Sequence, residues 1–328
     1  MLILSAEDLR QALPMRACIA AMKQAYQALS TGQAQVPLRS RLASPGHDGL
    51  SLFMPARVDA HEAEALAVKV VTLFNQNPGR GLPFIHAAVL VMNPETGKID
   101  ALLEGSSLTA IRTGAGCGAA TDLLARQDAT TAAIFGAGVQ ARTQLEALCS
   151  VRQIERAWVY GPDAKQVEAF IGEMAGKGSI PRDLRAAANP AEATRDADII
   201  SAATTSATPV FEDSALKPGV HINGVGSYTH EMQEIPGKTI ARARVTVDSR
   251  GAAQVEAGDI AIPLREQLLK EEQIVEIGDV IAGTRPGRQT EEEITVFKSV
   301  GVAVQDAVAG RLALENARKL GLGTEVAW

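Results

Sequence analysis

Thr131-Ala-Ala-Ile-Phe-Gly-Ala-Gly-Val-Gln-Ala141 reads as a short apolar strand, a turn built on two glycines and the opening of a helix. Gly136 permits the tight turn, and Gly138 lets the backbone approach a pyrophosphate. Ala141 stands at the third small position, where helix and strand pack closely. The first amides of the helix, aided by the positive end of its dipole, then point at the phosphates. Gly-x-Gly-x-x-Ala alone is weak, since a glycine turn between buried elements looks the same. A strand before it and a helix after it make it a dinucleotide-binding turn.

Outward from this stretch the pattern alternates. Short apolar runs occur at 132–135, 157–160, 198–203, 221–225, 244–247 and 294–298. Helical stretches such as Val139–Val151 and Ala164–Met174 lie between several of them. Such alternation predicts a Rossmann-type, doubly wound parallel sheet with the glycine turn after its first strand. The first part of the chain differs. Ser5 reads as a helix N-cap, and 15–31 as an amphipathic helix ended by Gly32. Strand-like pieces follow at 50–54, 66–74, 85–93 and 100–104, with Asn93-Pro-Glu-Thr-Gly97 as a hairpin turn. The fold class is therefore α/β, a Rossmann sheet preceded by an α+β region, with a closing helix over 302–320.

The 328 residues suffice for two domains, and 46% hydrophobic content excludes disorder as the main state. A net charge of −6 with scattered Lys and Arg argues against nucleic acid and anionic membrane surfaces. No apolar run approaches the ~20 residues that span a bilayer. Residues 1–8 carry acids where a signal peptide would be apolar, so a cytoplasmic protein is expected. Cys18, Cys117 and Cys149 form no CxxC and read as small buried hydrophobes in a reducing compartment, with no metal site expected.

In an NAD-binding unit an acid at the end of the second strand receives the adenosine ribose hydroxyls. Here that position is Gly161; Glu155 precedes the strand, and Asp163 reads as the N-cap of the next helix. Without a carboxylate to repel a 2′-phosphate, NADPH is expected, with NADH the alternative. Lys165 could grip that phosphate or be a solvated lysine on the first turn.

Two cations stand out before residue 130. Lys69 lies in a largely apolar strand, where a buried ammonium needs an anion partner or a depressed pKa. The alternative is a lysine on the open face of an edge strand. Arg112 precedes the small-residue run Thr113–Ala120 and reads as the start of a tightly packed helix, suited to holding a carboxylate in two places. A salt bridge between domains is the other reading.

Taken in order, Lys69-Val-Val-Thr72, Gly81-Leu-Pro83, Glu104-Gly105, Leu108-Thr-Ala-Ile-Arg-Thr113, Gly136-Ala-Gly-Val-Gln140 and Phe297-Lys-Ser-Val-Gly301 resemble the ornithine cyclodeaminase/mu-crystallin family. The resemblance covers nearly the whole chain. It implies a substrate and dimerisation domain over 1–112 and 305–328, an NAD(P)-binding Rossmann domain over 113–304, a homodimer, and catalysis in the cleft between the domains. It also implies chemistry on C=N bonds beside a carboxylate. Lys69 and Arg112 would then hold the substrate carboxylate, Lys69 also assisting proton transfer. Arg39 would be a further substrate-side arginine, with Arg41 a competitor. Ala137, Val139 and Gln140 would line the pyrophosphate, and Thr113, Ala203, Thr204, Val225 and Ser299 would complete the cofactor pocket.

One departure from the family pattern matters. Cyclodeaminases bear an aspartate where this chain has Tyr228, within Gly226-Ser-Tyr-Thr-His-Glu-Met-Gln-Glu234. Without that carboxylate, activation of water to expel ammonia lacks its base. His230, with Glu231 beside it, is a candidate substrate-side proton donor, against the reading of a surface histidine. Imine reduction needs only orientation and charge neutralisation. The expected activity is therefore an NAD(P)H-dependent ketimine reductase acting on a small cyclic imino acid, Δ1-pyrroline-2-carboxylate or Δ1-piperideine-2-carboxylate, to give proline or pipecolate. Ornithine cyclodeaminase, alanine dehydrogenase and a mu-crystallin-like NADPH-dependent binder of small ligands are the alternatives.

Overall fold

The computed structural model describes residues 1–60 and 63–327. They form two compact units, Met1–Arg112 with Val302–Trp328, and Thr113–Gly301.

In the first unit the strands are Leu2–Leu4 (β1), Ala34–Gln35 (β2), Ser40–Ser44 (β3), Gly49–Val58 (β4), Ala65–Phe74 (β5), Ile85–Met92 (β6), Ile99–Glu104 (β7) and, late in the chain, Thr324–Glu325 (β16). Their order is β16-β1-β7-β6-β5-β4-β2, with β3 paired to β4. The β4 to β7 pairings are antiparallel, so residues alternate between two faces. Leu52, Met54, Ala56, Ala65, Ala67, Val89 and Val91 lie on the buried face, beneath the closing helix Ala303–Leu320. Small residues bring that helix close: a Cβ on Gly310 would stand 2.9 Å from Val91 Cγ2. Ser5 caps the helix Ala6–Ala12, exchanging hydrogen bonds with Asp8 in a capping box. The Asn93–Gly97 hairpin turn forms as expected, the Glu95 and Thr96 amides donating to Asn93 Oδ1 at 3.0 and 2.9 Å.

One local expectation is corrected. Arg112 does not stand at a helix start but within the helix Gly105–Leu124. The Ser106 and Ser107 amides donate to the Glu104 carboxylate, each at 2.8 Å, so that acid satisfies the first turn well before Arg112. The division between the units falls inside this helix, at Arg112 and Thr113.

The second unit is a doubly wound parallel sheet. Its strands are Thr131–Phe135 (β8), Arg156–Tyr160 (β9), Asp183–Ala186 (β10), Ile199–Ala202 (β11), His221–Gly224 (β12), Arg244–Val247 (β13), Ile274–Glu276 (β14) and Thr295–Lys298 (β15). They lie in the order β10-β9-β8-β11-β12-β15-β13-β14, and every pairing is parallel. The order reverses between β8 and β11, and ligands of such sheets bind outside the carboxyl ends at that switch point. The helices Val139–Val151 and Ala164–Met174 have the expected bounds. The two strands without a clear sequence signal, β10 and β14, are the sheet's edges.

Candidate active site

In the first unit Lys69 sits on β5 with β4 and β6 on either side, and it is 2% exposed. An edge-strand lysine is thereby excluded. Its Nζ lies 2.7 Å from Asp306 Oδ2. Arg112 Nε donates to the other oxygen, Oδ1, at 3.0 Å, and its Nη1 donates to Gln305 Oε1, also at 3.0 Å. The salt bridge of Arg112 is thus made within its own unit. Gln305 Oε1 also accepts the Val302 amide at 3.0 Å, and its Nε2 donates to Tyr26 Oη at 2.8 Å. All five side chains of this cluster are buried. No described residue takes up Arg112 Nη2.

Burial pulls the Lys69 pKa down to about 8, helped by the Arg112 charge and opposed by Asp306; the Arg39 charge also lowers it. For Asp306, burial works against the carboxylate, but the charges and hydrogen bonds of Arg112 and Lys69 outweigh it and hold the pKa below the usual range. Arg39 is half-buried ahead of β3, whereas its competitor Arg41 is exposed on that strand. Two buried cations on one shared acid form a site able to take a further anion such as a carboxylate.

In the second unit the glycine turn follows β8. Gly136 has φ +97°, and a Cβ there would stand 2.6 Å from the Ala203 carbonyl oxygen, so the turns after β8 and β11 meet at the switch point. Around Gly138 no atom lies within 4 Å of where a Cβ would be. Gly138 is the N-cap of Val139–Val151 and offers no side chain to the first amides. Val139 is 68% exposed, and Ala137 is buried. Gln140 Oε1 is buried without a hydrogen-bond partner. An open glycine and uncapped helix amides fit the phosphates of a dinucleotide, whereas Gln140 Oε1 is an acceptor that awaits a donor.

Ala203 and Thr204 follow β11, Val225 follows β12 and Ser299 follows β15, so the carboxyl edge of the sheet gathers these residues with Gly136. Thr113 is half-buried on the helix Gly105–Leu124. Gly161 directly follows β9. Asp163 caps the next helix, accepting the Lys165 amide at 2.9 Å, and the Lys165 side chain is exposed. His230 is two-thirds exposed (66%) and paired with Glu231 at 2.8 Å; Tyr228 is exposed as well.

Several buried acids escaped the sequence reading. Besides Asp306, Glu234 binds the loops after β11 and β12: its Oε1 accepts the Thr204 amide and hydroxyl at 2.6 and 2.8 Å, and its Oε2 the Gly226 and Ser227 amides at 2.6 and 2.9 Å. Burial pushes its pKa up, against the Lys298 charge and these donors. Asp259 accepts the Glu234 and Ile235 amides at 2.7 and 2.9 Å and lies 3.1 Å from Lys298 Nζ. Asp248 secures the loop after β15, accepting the Ser299 hydroxyl at 2.7 Å and the Val300 and Gly301 amides at 2.9 and 2.8 Å. Spacing gives little signal for such contacts, because each acid reaches at least one donor 25 or more residues away.

A family model of the ornithine cyclodeaminase/mu-crystallin family matches residues 1–321. Among solved structures, the chain is similar to a Thermococcus litoralis Delta(1)-pyrroline-2-carboxylate reductase in complex with NADH and L-proline. The two are 42% identical with a TM-score of 0.93, over 99% of this chain and 100% of that one. It is 40% identical over 328 residues, 99% of each chain, to a Delta(1)-pyrroline-2-carboxylate reductase of Bacillus cereus. An archaeal alanine dehydrogenase dimer with bound NAD is 30% identical with a TM-score of 0.91, over 100% of this chain and 99% of that one.

Proposed function

The chain belongs to the ornithine cyclodeaminase/mu-crystallin family, and we propose that it is an NAD(P)H-dependent ketimine reductase. Its substrate is a cyclic imino acid, Δ1-pyrroline-2-carboxylate or its six-membered homologue Δ1-piperideine-2-carboxylate, and the product is proline or pipecolate. The observation that carries this reading is the buried pair of cations, Lys69 and Arg112, both in the first unit and joined through Asp306. Relatives of 40 and 42% identity with the reductase name support it.

The substrate carboxylate binds Lys69 and Arg112, with Arg39 adding positive charge from the segment before β3. Arg112 is already held through Nε and Nη1, so its guanidinium is oriented before substrate arrives. Pre-ordered donors of this kind cost no reorganisation when the substrate binds. Gly136, Ala137, Gly138, Val139 and Gln140 hold the pyrophosphate, Gly161 and Lys165 face the adenosine ribose, and Thr113, Ala203, Thr204, Val225 and Ser299 complete the pocket. NADPH is preferred over NADH, because no carboxylate stands at Gly161. When bound, the dinucleotide supplies the hydride that adds to the C=N carbon. His230 remains a proposed substrate-side group; its exposure and its pairing with Glu231 equally suit a surface histidine.

The chain acts as a cytoplasmic homodimer. No described helix is long and apolar enough to cross a membrane, and Cys18, Cys117 and Cys149 are buried thiols, as suits a reducing compartment. Leu38 and Leu42 are 94 and 60% exposed, and Phe53 and Ile85 are exposed too. Leu42 and Phe53 lie on β3 and β4, on the sheet face turned away from the closing helix. An apolar face of this kind suits a second copy of the chain.

The test is a steady-state assay of NADPH and NADH oxidation with both cyclic imines. Turnover well above background supports the reading, and its absence with either cofactor removes it. A second reading follows from the 30% identical alanine dehydrogenase: it requires turnover with pyruvate and free ammonia. Ammonia release from ornithine without net reduction would instead indicate a cyclodeaminase.

A further inference from the structure

We propose that Asp306 is a positioning residue for imine reduction, fixing the Lys69 ammonium and the Arg112 guanidinium so that both meet the same substrate carboxylate. The inference rests on the reading that these two cations bind that carboxylate.

Asp306 spends both oxygens on the pair, Oδ2 on Lys69 at 2.7 Å and Oδ1 on Arg112 Nε at 3.0 Å. The acid is itself anchored. It lies in the first turn of Ala303–Leu320, next to Gln305, which binds Arg112 Nη1, the Val302 amide and Tyr26. One helix start therefore holds a cation from β5 and a cation from the helix Gly105–Leu124. Lysine is a flexible chain with a point charge, and without a fixed acid its ammonium would have no single place in the core. A buried triad is also a poor device for stability alone, since apolar residues of similar volume often serve as well or better.

The charges facing Lys69 are those of Arg112, Asp306 and, from the segment before β3, Arg39. Burial and the two arginines favour the neutral amine, and Asp306 opposes all three. Asp306 thus keeps Lys69 charged at neutral pH, where a neutral amine could not pair with a carboxylate.

The test compares the full-length enzyme with Asp306→Asn and Asp306→Glu. The readouts are kcat, kcat/KM against pH with a cyclic imine, and the Lys69 titration followed by NMR of 15Nζ-labelled lysine. In Asp306→Asn the basic limb of kcat/KM and the Lys69 titration should both move down by about one pH unit or more, and kcat should fall at least about tenfold. Melting temperature should fall, because two buried cations lose their acid, while dinucleotide Kd should change little; the pH limb and the Lys69 titration are the readouts that a loss of stability alone would not move. Asp306→Glu keeps the charge but displaces it, so the limb should return towards the wild-type pH while kcat stays low. An Asp306→Asn enzyme with the wild-type profile and kcat overturns the proposal. If that variant does not fold, an Asp306→Glu enzyme with unchanged kcat does the same. Should the wild-type protein reduce no imine, the functional reading fails, while the NMR titration still tests whether Asp306 controls Lys69.

Discussion

Glu234 accepts the Gly226 amide at 2.6 Å, and a Cβ on Gly226 would stand only 1.9 Å from the Thr204 carbonyl oxygen. The same carboxylate accepts the Thr204 amide at 2.6 Å. One buried acid therefore binds together the loops that follow β11 and β12, at the sheet edge where Rossmann-type ligands approach. Loops at such an edge usually move, and here their backbone amides are fixed by a side chain from the same unit.

Replacing Glu234 by Gln should destabilise the protein by about 2–4 kcal/mol, because an amide NH2 then faces buried N–H donors that had shared an acceptor. Dinucleotide affinity should fall as well, since Thr204 and the Gly226–Ser227 turn after Val225 would no longer be held. Thermal unfolding and a fluorescence titration with NADPH check this. A variant with wild-type melting temperature and affinity would show that the loops hold their shape without the acid.

Gly226→Ala should be more damaging than Gly138→Ala. A methyl group at Gly226 meets backbone, whereas at Gly138 it has open space within the chain, where the proposed dinucleotide would bring its phosphates. The first variant should lose stability by about 2 kcal/mol or more; the second should fold normally and lose dinucleotide affinity. Equal melting temperatures and equal Kd values for the two variants would contradict the assignment of the turn.

Lys69→Met should reduce kcat/KM for a cyclic imine by about 10²–10⁴-fold and leave dinucleotide binding within a few-fold. The wild-type profile should follow the proton on Lys69, the proposed carboxylate partner. With the Lys69 pKa at about 8, the ammonium is present below that pH and activity should be lost as pH rises through it. A wild-type basic limb far above 8 would mean that another group governs the profile.

Arg112→Lys should raise KM strongly. A compact ammonium cannot reproduce the planar fork that meets Asp306 through Nε and Gln305 through Nη1 and presents its remaining donors to substrate; the expected loss is about 2–4 kcal/mol in kcat/KM. Unchanged KM with a lowered melting temperature would restrict Arg112 to its salt bridge with Asp306.

Much of this site is legible in the chain itself. A lysine in the apolar stretch around Lys69 and an arginine before a run of small residues are both out of place unless an anion meets them. The anion is harder to see. Asp306 stands in the first turn of an amphipathic helix, where an acid is also expected simply to complement the helix dipole. Gln305 and Glu234 are hidden for another reason, since key partners, Arg112 and Tyr26 for one and Thr204 for the other, are far away in sequence. In the sheet, β8 and β11 carry largely apolar runs because both faces are covered, whereas the edge strand Asp183–Ala186 alternates polar residues and leaves no such mark. The position of Arg112 within its helix was obscured because Glu104, on the preceding strand, provides the cap.

Gly161→Asp should shift preference from NADPH towards NADH. Gly161 follows the last residue of β9, where a dinucleotide sheet places its ribose-binding acid. The added side chain is compatible with the backbone, since Gly161 is outside the left-handed region and a Cβ there would meet only Val167 Cγ2, at 3.3 Å. Val167 is an apolar side chain on the following helix and can yield a few tenths of an ångström, so the variant should fold with little change in melting temperature. Its carboxylate would accept the ribose hydroxyls of NADH and repel a 2′-phosphate. The ratio of kcat/KM for NADPH over NADH should fall by about 1–3 kcal/mol, roughly 5- to 150-fold. A folded variant with the wild-type ratio would place the adenosine ribose away from Gly161 and remove the basis for an NADPH preference.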